Sequence, residues 1–110
     1  ANRVYGDSFK MRDNAIENIG NNVVIEFEDM DFTSQGLRSI RLCGRSHTDK
    51  NTINILFTNE AGQTKQVIEF PHSSSYVEHE FDLEPLVGKY KVSFVFLPGS
   101  NFDFSWFQFK

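Results

Sequence analysis

The chain closes on SNFDFSWFQFK, residues 100–110, and this ending constrains the fold more than any other stretch. Phe102, Phe104 and Trp106 alternate with Asp103 and Ser105, the period of a strand with one buried face. Trp106 and Phe107 are then adjacent, so either both faces find apolar cover or a bulge resets the phase. Left as a tail, such a segment is an aggregation hazard. The ending therefore predicts a last strand that slides into the middle of a sheet. Before it, Pro98-Gly99-Ser100-Asn101 spells a turn, and turns at the ends of β-sandwiches often carry binding functions.

Period-2 runs dominate the rest of the chain. Val23, Ile25 and Phe27 alternate with Val24, Glu26 and Glu28, and Ile53, Ile55 and Phe57 with Thr52, Asn54 and Leu56. Val77, His79, Phe81 and Leu83 form a third run, Tyr90, Val92, Phe94 and Phe96 a fourth, with shorter ones at Ile40/Leu42 and Ile68/Phe70. Gly, Pro, Asn and Ser clusters separate them, and Asn59-Glu60-Ala61-Gly62 reads as a hairpin loop. No 3.6-residue apolar pattern lasts three turns. Strands spaced this way predict an all-β sandwich or barrel. Alternation assigns the core to Phe27, Ile40, Leu42, Ile53, Ile55, Phe57, Phe81, Leu83, Val92, Phe94, Phe96, Phe104 and Trp106. It also places His79 on an apolar face, as a half-buried histidine.

A length of 110 residues is that of one domain, residues 1–110, able to remove roughly 65% of its unfolded surface from water. Its one cysteine, Cys43, can form no disulfide within the chain and reads as a buried, inert thiol. A net charge of −4 with scattered Lys and Arg argues against nucleic acid. No apolar run approaches the ~20 residues of a membrane-spanning helix. The first ten residues carry charges and no apolar signal-peptide segment. The chain starts without Met and so reads as a module excised from a longer protein, whose compartment, cytoplasmic or secreted, follows the parent.

No catalytic motif is present: no G-x-S-x-G, Gly-rich phosphate loop, H-E-x-x-H or C-x-x-C. Acidic residues at spacing two, such as Glu26 with Glu28 and Glu78 with Glu80, fall on the outer side of strands, where a solvated face is expected. Two binding chemistries stay open. Ca²⁺ gathers oxygens from separate segments, and Asp7 near the start and Asp103 in the last strand are the candidate ligands. Sugars stack C–H faces on aromatic rings and present hydroxyls to Asn, Asp, Glu, Arg or His. Tyr76, after the loop Pro71-His72-Ser73-Ser74-Ser75, is the candidate ring, and Asn101, with Asn18, Asn21 and Asn22 in an earlier loop, are candidate polar partners.

The ordered segments NIGNNVVIEFEDMDF, GQTKQVIEFPHSSSYVEHEFDL and FDFSWFQF resemble family 6 carbohydrate-binding modules. The phrases DMDF, CGRS, KNTINILF, VIEFPHSSSY and FVFLPGSNFDFSWFQF are similar to a C-terminal domain of some bacterial glycoside hydrolase family 2 β-galactosidases. The resemblance implies a galactose-binding-like jelly roll, a β-sandwich of two antiparallel sheets. It implies a non-catalytic accessory module that binds carbohydrate, a galactoside or plant polysaccharide, beside a catalytic domain. The family's stacking aromatic falls on Tyr76, its second stacking position on Asn18, and its cleft asparagine on Asn101 or Asp103. Its structural calcium implies Asp7, while the acid before the closing Trp is Ser105 here. The competing reading is a module that packs on the catalytic domain or a second subunit and binds no sugar.

Overall fold

A computed structural model describes residues 3–5, 10–12, 15–20, 23–33, 36–97 and 99–110. They form ten strands: β1 (Arg3–Tyr5), β2 (Lys10–Arg12), β3 (Ala15–Ile19), β4 (Val23–Asp31), β5 (Leu37–Ser46), β6 (Lys50–Asn59), β7 (Gly62–Pro71), β8 (Val77–Leu86), β9 (Lys89–Phe96) and β10 (Phe102–Phe109). Every alternating run became a strand. Two five-stranded sheets result, ordered β1-β4-β9-β6-β7 and β2-β3-β10-β5-β8, with antiparallel neighbours throughout. This is the expected sandwich, and β10 occupies the middle of the second sheet.

The β6–β7 hairpin turns at Glu60-Ala61, with Asn59 paired to Gly62. Gly62 takes a φ of 142°, and Asn59 Oδ1 accepts the Ala61 N–H at 2.9 Å. Along this same margin the two sheets meet through a side chain. Gln66 of β7 donates to the Glu84 carbonyl at 3.1 Å and accepts the Glu84 N–H at 2.7 Å, replacing a missing backbone rung between the outermost strands.

Phenylalanine rings run through the core from end to end. Phe70, Phe96 and Phe102 pack at the end where β10 begins, and Phe32, Phe57 and Phe109 at the other. Phe94 lies between them, 5.5 Å from Phe104 and 4.9 Å from Phe107. Burying each such ring contributes roughly 1.5–3 kcal/mol.

A bulge decides the phase of the last strand. Phe104 faces Gly44 of β5, but Trp106 faces Cys43, leaving Ser105 as the extra residue. Even-numbered rings point inward before the bulge and odd-numbered rings after it. Phe107 and Phe109 therefore turn to the core, and Trp106, expected inside, is 40% exposed on the outer face. Phe27 and Phe81 are also corrected: they flank the core, partly buried, Phe27 at a register shift of β4 and Phe81 on β8, the edge strand of the second sheet. The core additionally takes Ile19, Leu37 and Phe70, from short or irregular runs, and Phe102, the first ring of the closing run. His79 is half-buried with its ring edge-on to Phe70 at 4.9 Å. Cys43 is buried, and burial followed by the Glu78 charge pushes its thiol pKa up, away from the reactive thiolate.

Candidate functional site

The site lies where β3 and β5 end and β8 and β10 begin. Gly44 sets its floor: a Cβ there would collide with the Phe102 ring and stand 2.8 Å from the Asp103 carbonyl. With only hydrogen on Gly44, Phe102 lies across β5 and the next rung pairs Asp103 with Arg45. Since Phe102 and Phe104 point inward, Asp103 and Arg45 project from the outer face of the second sheet.

A second bulge supplies Asn18. Phe102 pairs with Ile19 and Phe104 with Ile16, so Glu17 and Asn18 both stand opposite Asp103. Asn18 absorbs the irregularity with a φ of 54°, a left-handed conformation that Asn tolerates better than most residues.

Asp103 is 1% exposed, and donors saturate it. Oδ1 accepts the Asn18 backbone N–H at 2.9 Å. Oδ2 meets Arg45 Nε and His47 Nε2, each at 2.7 Å. Burial pushes the Asp103 carboxyl up, but the bonds from Asn18, His47 and Arg45 outweigh it and hold its pKa below the usual carboxylate value. Arg45 in turn is raised, chiefly by its bond to Asp103.

Arg45 links this carboxylate to Tyr76. Its guanidinium lies 4.8 Å from the centre of the Tyr76 ring, and its terminal nitrogen 3.7 Å from Glu17 Oε2. The Tyr76 hydroxyl donates to the same Glu17 oxygen at 2.8 Å. Burial, then the Glu17 bond, pushes the phenol up to about 12, so it stays a neutral donor at physiological pH. On the other side of Asp103, the His47 backbone N–H donates to the Asn101 carbonyl at 2.9 Å.

Four expected site residues are thus gathered: Tyr76 through Arg45, Asn101 through His47, and Asn18 directly, all around Asp103. Tyr76 is half-buried, with one face under Arg45, while Asn18 and Asn101 are exposed. Asp103 organises the cluster from beneath and presents no free oxygen. As the proposed calcium ligand, Asp103 has both its oxygens engaged by Asn18, Arg45 and His47. Among the described residues no three His, Cys, Asp or Glu side chains are grouped to hold a metal ion, and Asp7 lies outside the described residues, as do Asn21 and Asn22.

Arg45, His47 and Glu17 are site residues that alternation alone did not single out. Their signal is positional: Arg45 and Glu17 sit at outward places of strands, and only the β3-β10-β5 order makes them neighbours. The cluster offers a ring, amides, a guanidinium, an imidazole and carboxylates, a set suited to holding polyhydroxylated ligands.

Neither a protein-family model nor a curated protein sequence matches the chain. Solved structures do. A family 6 carbohydrate-binding module from Clostridium stercorarium, in complex with cellobiose, superposes with a TM-score of 0.81 at 20% identity, over 98% of this chain and 86% of that one. The fold is that of family 6 carbohydrate-binding modules. A family 6 module from Clostridium cellulolyticum, in complex with xylose, gives a TM-score of 0.73 at 20% identity over 87% of this chain and 78% of that one. A glycoside hydrolase family 43 arabinoxylan arabinofuranohydrolase from Bacillus subtilis, in complex with cellotetraose, gives 0.73 at 25% identity, and 87% of this chain corresponds to only 21% of that enzyme. Within the family 6 fold, the two bulges and Gly44 are what bring Asn18, Arg45, Tyr76 and Asp103 to one end of one sheet.

Proposed function

We propose that this chain is a non-catalytic carbohydrate-binding module of a glycoside hydrolase of β-galactosidase type, taking a galactoside or plant polysaccharide at the Tyr76 end of the second sheet. The observation that carries this reading is the convergence of Tyr76, Asn18 and Asn101, from three distant segments, on buried Asp103 and its partly exposed partners Arg45 and His47. Tyr76 offers its uncovered face to a sugar ring. Asn18 and Asn101 take hydroxyls, and Asp103 fixes Arg45 and His47 in place. The family 6 fold of the neighbours in complex with cellobiose and xylose supports a sugar ligand, and the match within a larger arabinofuranohydrolase supports an accessory role. Affinity is modest, since one ring and a few solvent-facing hydrogen bonds leave little surplus over the cost of association.

The test is calorimetry of the chain against galactosides, xylan and β-glucans, with and without Ca²⁺. Tyr76→Ala is expected to abolish binding while the protein still unfolds cooperatively, and Tyr76→Phe to retain it. Unchanged binding in Tyr76→Ala sinks this site.

A second reading, a packing module, is favoured by one feature. At the opposite end of the sandwich a notch opens between β4 and β10, bordered by Met30, Phe107 and Phe109, which are only partly buried.

A further inference from the structure

Asn51 of β6 is 1% exposed, and its amide is used by half. Oδ1 accepts the backbone N–H of Asn101 at 3.1 Å. Nδ2 is buried and has no hydrogen-bond partner among the described residues. The amide cannot turn round, because that would set two donors face to face. A buried donor without an acceptor destabilises a fold, a cost that an apolar side chain of similar shape does not carry. What Asn51 supplies is a single acceptor, and it is spent on Asn101.

The Asn101 backbone is thereby fixed at both polar groups. Its N–H is held by Asn51 of the first sheet, and its carbonyl by the His47 N–H beyond the end of β5 in the second. His47 continues to Asp103 at 2.7 Å. In the neighbouring turn Gly99 takes a φ of 91°, and Ser100 N–H bonds the Leu97 carbonyl at 3.1 Å. Ordering such a loop during folding removes that cost from the binding step.

We propose that Asn51 is a positioning residue of the sugar site: it holds the Asn101 loop in its ligand-ready geometry at the expense of stability. This rests on Asn101 being a sugar-holding residue.

The test sets binding against stability in two variants of the chain, with methyl β-galactoside, xylose and cellobiose as probes. Asn51→Leu removes both the acceptor and the orphan donor. It is expected to keep or raise Tm, to lose hydrogen-exchange protection at the Asn101 amide, and to weaken sugar binding about tenfold. Asn51→Asp keeps an acceptor but buries an acid. It is expected to lower Tm while retaining Asn101 protection and sugar affinity. Affinity that simply follows Tm in both variants overturns the proposal. So does full affinity in Asn51→Leu when Asn101→Ala has lost binding. Full affinity in Asn101→Ala instead removes the sugar-site reading itself, and this inference with it.

Discussion

The backbone N–H of Asn18 donates to Asp103 Oδ1 at 2.9 Å, across 85 positions of sequence. The bond exists because a bulge turns Asn18 to a φ of 54° and aims its N–H at the neighbouring strand. Backbone and side chain at position 18 therefore have separate jobs, one in the fold and one at the ligand.

Substitutions at Asn18 separate them. Asn18→Gly keeps the left-handed backbone and the N–H, and is expected to leave Tm nearly unchanged. Asn18→Ala strains the same backbone and is expected to cost about 1 kcal/mol in denaturant melts. If the exposed amide holds a sugar hydroxyl, both variants weaken sugar binding alike. Unequal affinities would tie binding to the backbone instead.

Asp103 makes stability depend on pH in a defined direction. Its folded pKa lies below the usual value, so the unfolded chain takes up this proton first as pH falls. Its contribution is fully present above the ordinary carboxylate value of about 3.9 and is lost as pH falls through the lower folded value. Melts across about pH 2 to 6 are expected to show that acid limb in the parent protein and a shallower one in Asp103→Asn. At neutral pH the same variant is expected to cost about 1–2 kcal/mol, since Arg45 and His47, both reached by solvent, lose a charged partner. An unchanged acid limb would show that other carboxylates dominate it.

Much of this fold was legible because alternation is a local signal. The runs around Ile25, Ile55, Phe81 and Phe94 each declared a strand, and the aromatic ending declared a central one. What stayed hidden is set by pairing across the sequence. Nothing local to Ser105 says that it is the bulged residue, so alternation alone carries Trp106 to the wrong face. The site divides the same way. Tyr76, Asn18, Asn101 and Asp103 stood out by loop position and by resemblance. Arg45 and His47 join them only because β10 lies beside β5, and Glu17 only because β3 lies on the other side.

Gly44 is the most economical probe of that arrangement. An added methyl would meet the Phe102 ring and the Asp103 carbonyl at once, one in the core and one beneath the site. Gly44→Ala is expected to cost about 2–3 kcal/mol, because a backbone atom cannot move aside as a side-chain tip can. It is also expected to weaken sugar binding, through displacement of the Asp103–Arg45 rung. A wild-type Tm in this variant would mean that the two strands part more easily than their packing implies.

Trp106 tests the bulge itself. Its neighbours Phe104 and Phe107 lie in the aromatic core, whereas its own ring stands 40% exposed among Cys43 of β5 and the outer face of the sheet. Trp106→Ala is expected to cost about 1 kcal/mol or less, and Phe104→Ala about 3–5 kcal/mol. Were the phase unbroken, the two costs would be alike. The same variant also distinguishes the two surfaces on which a ring is offered to a sugar. With binding at the Tyr76 end, Trp106→Ala leaves affinity unchanged while Tyr76→Ala removes it. The reverse pattern in calorimetry moves the ligand from the end of the sheet onto its open face.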